Sequence, residues 1–137
     1  MKPIAITENH LYKKAYLSGK KAGGRFAVIY VLKDKKAFVL KKQNPQKQYI
    51  NRIGIAVSKK IGGAVERNRA KRVIRAAFAM AEKESEIKKG FLIVISAREA
   101  ATRCTSAEVY AEMKKQLQRL GMVDLGEQKE NETDEIE

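Results

Sequence analysis

The chain has 137 residues, enough for a single core, and carries 29 Lys and Arg against 16 Asp and Glu, a net charge of +13. From Asp124 onward there are seven acidic residues and one basic, so residues 1 to 123 hold 28 basic and nine acidic groups, a net of +19 that points to nucleic acid as partner, with an anionic membrane surface second. One cysteine (Cys104) and one histidine (His10) exclude an intrachain disulfide, a cysteine-based zinc site and a multi-histidine metal site, and no apolar run approaches the roughly 20 residues of a membrane span.

Asn9 to Ser18 reads as a first helix, with Thr7 or Asn9 to cap it and Gly19 to stop it. Leu11 and Ala15 share one stripe of it, Tyr12 and Tyr16 the next. Arg25 to Leu32 alternates as a strand does, with Phe26, Val28, Tyr30 and Leu32 on one face. Ala37 to Leu40 could extend the hairpin, and QNPQKQ carries turn chemistry around Pro45. From Arg52 to Ser58, Ile53, Ile55 and Val57 point one way and Gly54, Ala56 and Ser58 the other, so one face packs and the opposite face is low and flat. A KKIGG loop then leads into a long helix from about Ala64 to Glu86.

Phe91 to Ala97 is apolar on both faces, the mark of a central strand. Thr105 and Glu108 have capping-box spacing, and Val109, Met113, Leu117 and Leu120 recur at helical intervals until Gly121. The expected fold is α+β: an α-β-β-(β)-α-β-α sandwich, with helices packed on a small mixed sheet. Residues 1–123 are expected to form one RNA-binding domain. Residues 124–137, acidic and poor in apolar groups, are expected to form a disordered, solvated tail. The start, MKPIAITENH, has no signal-peptide apolar stretch, so a soluble, cytoplasmic protein is expected.

The densest signal is Ser58 to Phe78. At about 100° per residue, Arg67, Lys71 and Arg75 line up, with Asn68 and Arg72 on the adjacent row and Arg69 at the margin. Ala70, Val73, Ile74, Ala77 and Ala81 lie opposite. Like charges spaced by four cost an isolated helix roughly 0.2 to 0.5 kcal/mol per pair, which phosphate binding would relieve. Arginine forks suit phosphates and base edges, and Asn68 can both donate and accept. A solvated basic face without a partner is the alternative. Tyr12 and Tyr16, one helical turn apart, could stack bases beside the flat strand face; packing in the core with their hydroxyls at the rim is the other reading. Gly62 and Gly63 lack P-loop context and serve the turn. Cys104 reads as a small apolar filler, His10 as a polar helix-start residue, and Glu82, Glu84 and Glu86 fall on different sides of their helix, so they make no obvious metal cage.

The run RIGIAVSKKIGGAVERNRAKRVIRAAF, Arg52 through Phe78, resembles the protein subunit of bacterial ribonuclease P, whose hallmark is an RNR helix after a strand and an S-K-K turn. NHLYKKAYLSGK and RFAVIYVL are similar to that family's first helix and strand, and FLIVISAREAA to its last strand, so the likeness spans roughly residues 8 to 121. The resemblance implies a protein component of an RNA-catalysed endoribonuclease that removes the 5′ leader from precursor tRNA, with magnesium ions held through the RNA subunit. No protein-borne catalytic or metal site is expected. It assigns Lys59, Lys60, Arg67, Asn68, Arg69, Lys71, Arg72 and Arg75 to the catalytic RNA subunit. Tyr12, Tyr16 and Tyr30, with Gly54, Ala56 and Ser58, fall to a cleft for the precursor tRNA 5′ leader. It also implies a left-handed crossover between parallel strands, against the general preference.

Four features depart from the family pattern: tyrosines stand where phenylalanines are expected in the first helix, no basic run precedes that helix, LKKQNPQKQYI lengthens the first hairpin, and the acidic tail is extra. A generic RNA-binding or ribosomal protein would use the same basic face and leave the tyrosine cleft idle. A stand-alone nuclease would need an acid/base or metal constellation that these residues do not assemble.

Overall fold

A computed structural model describes residues 4–34 and 51–123. The expected strand at Ala37 to Leu40, the turn around Pro45 and the acidic segment from Asp124 lie outside the described residues. The elements are β1 (Ile4–Ala5), α1 (Asn9–Ser18), β2 (Lys20–Ala22), β3 (Ala27–Lys33), β4 (Arg52–Ala56), a 3-10 turn (Lys59–Ile61), α2 (Ala64–Glu84), β5 (Phe91–Ala97), a second 3-10 turn (Glu99–Thr102) and α3 (Ser106–Arg119). They form one mixed sheet in the order β1-β4-β5-β3-β2. β4 and β5 are parallel neighbours joined through α2, with Gly54 opposite Val94 and Ala56 opposite Ser96.

The α+β architecture is the expected one, with two short strands added at the sheet's outer positions. β1 pairs with β4 and β2 with β3 over two and three residues, too short for an alternating pattern to register. β5 is central because both of its faces are apolar. Leu92 and Val94 pack with Ile6, Leu11 and Ala15 under α1, while Ile93, Ile95 and Ala97 enter the larger core under α2 and α3. In β3 the row Ala27, Ile29 and Val31 belongs to that larger core, and Tyr30 and Leu32 face α1. Phe26 precedes the strand and packs against the larger core instead of continuing the Val28 row. Ile29, Ile74, Ile93 and Ile95 are wholly buried, each such side chain contributing about 1.5 to 3 kcal/mol.

Local chemistry sets several boundaries. The N-cap of α1 is Glu8, without a side-chain cap bond, in place of Thr7 or Asn9. α2 ends at Glu84, two residues before the expected Glu86, because Ser85 turns extended. α3 begins with the expected capping box: Thr105 accepts the Glu108 N–H, and the Glu108 carboxylate accepts the Thr105 N–H at 2.9 Å. It stops at Gly121, whose φ of +73° is left-handed and whose N–H bonds the Gln118 carbonyl.

Three side chains of α3 tie down the β2–β3 connection. The Glu112 carboxylate accepts the N–H groups of Arg25, Phe26 and Ala27, the buried Gln116 amide donates to the carbonyls of Ala22 and Ala27, and Arg119 donates to that of Gly23. On the other side, the Arg52 guanidinium forks onto Asp34 (Nε to Oδ2 2.7 Å, Nη2 to Oδ1 3.0 Å) and reaches Glu8 at 3.4 Å. Arg52 and Asp34 are both buried, so this pair joins the start of β4 to the end of β3 and to the entry of α1. The Asp34 bond, first, and the Glu8 contact push the Arg52 pKa up against the opposing effect of burial.

Candidate nucleic-acid interface

α2 divides its faces as its sequence requires. Ala70, Val73, Ile74, Ala77, Phe78 and Ala81 are buried, while Asn68, Arg69, Arg72 and Arg75 are exposed and Arg67 and Lys71 half-buried. Lys59 and Lys60 stand exposed on the 3-10 turn before it. All eight residues assigned to the basic site therefore lie on α2 or the turn feeding it. Two of them have further duties. Arg67 Nε donates to the Gly63 carbonyl at 3.4 Å. The Arg69 guanidinium donates from Nε to the Thr102 carbonyl and from Nη2 to the Cys104 carbonyl, both at 2.9 Å. At the margin of the helix, Arg69 thus spends two of its five donors on the loop after β5.

The second candidate site lies on the opposite face of the sheet. Tyr12 stands over Gly54: a β-carbon at position 54 would meet the tyrosine hydroxyl and lie 2.6 Å from its Cζ. The missing side chain is what lets the ring approach the strand. One turn on, the Tyr16 ring meets Tyr30 edge-on, centroids 4.9 Å apart at 72°. Tyr16 remains 40 % exposed, whereas Tyr12 and Tyr30 are half-buried and pack against the cluster under α1. The two readings of the tyrosines therefore divide: Tyr12 and Tyr30 build the wall, and Tyr16 offers open ring surface. Burial raises the pKa of both helix tyrosines, opposed at Tyr16 by a hydrogen bond with Ser96 and reinforced there by the neighbouring tyrosines, so both remain neutral phenols.

Ala56 and Ser96 sit side by side in the β4–β5 register and continue this face beyond Gly54. Sequence reasoning does not single out Ser96, although it is the one polar residue within FLIVISA. Ser58 does not share the strand face. β4 ends at Ala56, and the Ser58 hydroxyl accepts the Lys60 N–H to cap the 3-10 turn, so it shapes the lysine turn instead.

A groove of about 550 Å³ along the outer edge of β4 connects the two sites. Tyr12 and Gly54 line it from one side, Lys71, Arg75 and Glu82 from α2. Burial raises the Glu82 pKa, with Lys89 opposing. Among the described residues, no group of three or more His, Cys, Asp or Glu is gathered where it could hold a metal ion, and no helix is long and apolar enough to cross a membrane. Cys104 is buried, its Sγ 3.6 Å from the Ala101 carbonyl, and burial pushes its thiol pKa up.

The chain matches the profile of the Ribonuclease P family over residues 1–121. It is 35% identical over 123 residues to the ribonuclease P protein component of Clostridium acetobutylicum, covering 90% of this chain and 93% of that one. It is 36% identical over 108 residues to that of Macrococcus caseolyticus, covering 79% and 82%. Among solved structures, the RNase P protein of Staphylococcus aureus superposes with a TM-score of 0.67 at 28% identity, covering 90% of this chain and all of that one. The RNase P protein of Thermotoga maritima shares the fold at 24% identity, with a TM-score of 0.64 over 87% of this chain and 97% of that one.

Proposed function

The chain belongs to the ribonuclease P protein family, and from that premise we propose that it binds the catalytic RNA subunit through α2 and the 5′ leader of precursor tRNA through the cleft under α1. The family's work is tRNA 5′ processing by a ribonucleoprotein endoribonuclease. In this reading the hydrolysis belongs to the RNA, with magnesium ions held there, and the protein positions substrate and RNA in the cytoplasm. The observation that carries it is the division of α2: one face buried in the core, the other bearing Asn68, Arg69, Arg72 and Arg75 in solvent, continuous through the β4-edge groove with Tyr12 and Gly54.

The chemistry of each surface fits its proposed partner. Guanidinium forks match phosphate geometry, and each phosphate neutralised releases condensed counterions, so affinity falls as salt rises. In the cleft, the Tyr16 ring can stack on any base, which suits leaders of varied sequence, at about 1 to 3 kcal/mol per stacked base. Gly54 and Ala56 keep the floor low, and Ser96 with the tyrosine hydroxyls supplies hydrogen-bonding groups at its rim.

Cleavage of precursor tRNA by the cognate RNA subunit at low magnesium, with and without the protein, tests this reading. The protein should restore cleavage that the RNA alone performs poorly. No gain on adding it would overturn the proposal, and cleavage by the protein alone would assign the chemistry to the protein.

A further inference from the structure

The basic surface does not end at the margin of α2. Taking α2 at about 100° per residue, Arg69 stands about 60° from Arg72 on the solvent side and about 40° from the buried Val73 on the other. It is the border residue of the helix on the side away from the β4-edge groove. Its guanidinium reaches across to the loop joining β5 to α3 and grips the carbonyls of Thr102 and Cys104, the residues on either side of Arg103. Within the loop, Ala101 N–H bonds the Arg98 carbonyl, Arg103 N–H that of Ala100, and the Thr102 hydroxyl that of Glu99, while Arg98 N–H anchors its start to the Phe26 carbonyl. Ala101, Thr102 and Cys104 are buried, which turns Arg98 and Arg103 outward. Arg103 is 68 % exposed, and its ion pair with Glu99 at 3.6 Å is equally exposed and so weak enough for a phosphate to displace.

We propose that the RNA-subunit surface continues from α2 onto this loop, where Arg98 and Arg103 contact backbone phosphates and Arg69 acts as the positioning residue that holds the loop beside the helix. The inference rests on the α2 reading above and extends it, because Arg69 of α2 holds the two carbonyls that flank Arg103. Arginine is required at 69 because two carbonyls are engaged by a planar fork. A lysine ammonium keeps the charge but cannot span both in that geometry.

The test is equilibrium binding of the full chain to its RNA subunit across a salt series, with unfolding midpoints measured in parallel. The variants are Arg98→Ala with Arg103→Ala, Arg69→Lys, the combination of the three, and Arg67→Ala with Arg72→Ala as reference. Removing Arg98 and Arg103 should weaken binding and lower the log-log salt slope by about 1.5, the equivalent of two neutralised phosphates, with the unfolding midpoint unmoved. Arg69→Lys should also weaken binding. Added to the loop pair it should cost nothing more, because its effect runs through them.

An unchanged slope in the loop variant, alongside a lowered slope in the reference, removes the loop from the interface and leaves the α2 reading standing. Unchanged slopes in both overturn the α2 reading and this one together. Additive losses for Arg69→Lys and the loop pair would show that Arg69 does not act through the loop.

Discussion

The ring of Tyr12 occupies the space that a side chain at Gly54 would fill, with Cζ 2.6 Å and Cε1 2.8 Å from where a β-carbon would stand. Gly54→Ala should therefore push the ring outward, since the tyrosine can swing while the strand backbone cannot. The expected outcome is reduced affinity for precursor tRNA, smaller loss for mature tRNA, and an unfolding midpoint lowered only slightly. Losses of equal size on both RNAs, or no loss on either, would mean that the Tyr12–Gly54 contact serves packing alone.

Tyr16 is the most open aromatic of the cleft, at 40 % exposure. Tyr16→Ala should weaken precursor binding by about 1 to 3 kcal/mol, one base stack, while leaving mature tRNA binding nearly unchanged. Filter binding on the two RNAs measures the difference, and equal losses would argue for a packing role against Tyr30.

Arg67→Ala with Arg72→Ala should weaken binding to the RNA subunit and lower the log-log salt slope by about 0.7 to 0.9 for each phosphate that the helix no longer neutralises. Arg69→Ala should weaken binding with a smaller change in slope, since two of its donors face carbonyls. A salt titration on the parent and both variants separates phosphate binding from positioning.

The Arg52–Asp34 pair should be costly to break from one side. Both groups are buried, and Asp34→Ala leaves a guanidinium without its two short bonds, at about 3 to 5 kcal/mol by denaturant unfolding. Because Arg52 also reaches Glu8 at the entry of α1, the same variant should loosen the tyrosine cleft and weaken precursor binding beyond its effect on the RNA subunit.

Cys104 should react with a disulfide reagent only as the chain unfolds. Its thiol pKa is raised by burial, so the folded state holds its proton to higher pH than the unfolded chain does. The sign follows: this contribution to stability is full below the unfolded thiol's pKa, about 8.5, and is lost as pH rises through the higher folded value. Denaturant midpoints at pH 7 and pH 10 for the parent and Cys104→Ala should show a smaller pH-dependent loss in the alanine variant, the remainder belonging to groups such as Tyr12 and Tyr16 whose pKa burial also raises.

The amino-acid order alone determined the elements whose periodicity is complete: the central strand from Phe91 to Ala97, the capping box at Thr105 and Glu108, and the two faces of α2. In each, burial and charge repeat at the spacing of one local structure, so neighbours in sequence suffice. The order also carried the low strand face at Gly54 and Ala56, because a missing side chain is visible without a fold. It did not reveal β1 and β2, whose two and three residues are strands only because β4 and β3 offer them partners.

Nor could it reveal what Ser58 and Arg69 do. Ser58 shares the parity of Gly54 and Ala56 but lies past the strand's end, where its hydroxyl caps a turn. Arg69 looks like its basic neighbours until Thr102 and Cys104, more than thirty residues away, present two carbonyls to it. Side-chain periodicity is a local property and is written in the sequence. The partner of a long polar side chain is decided by whichever distant backbone the packing brings within about 3 Å.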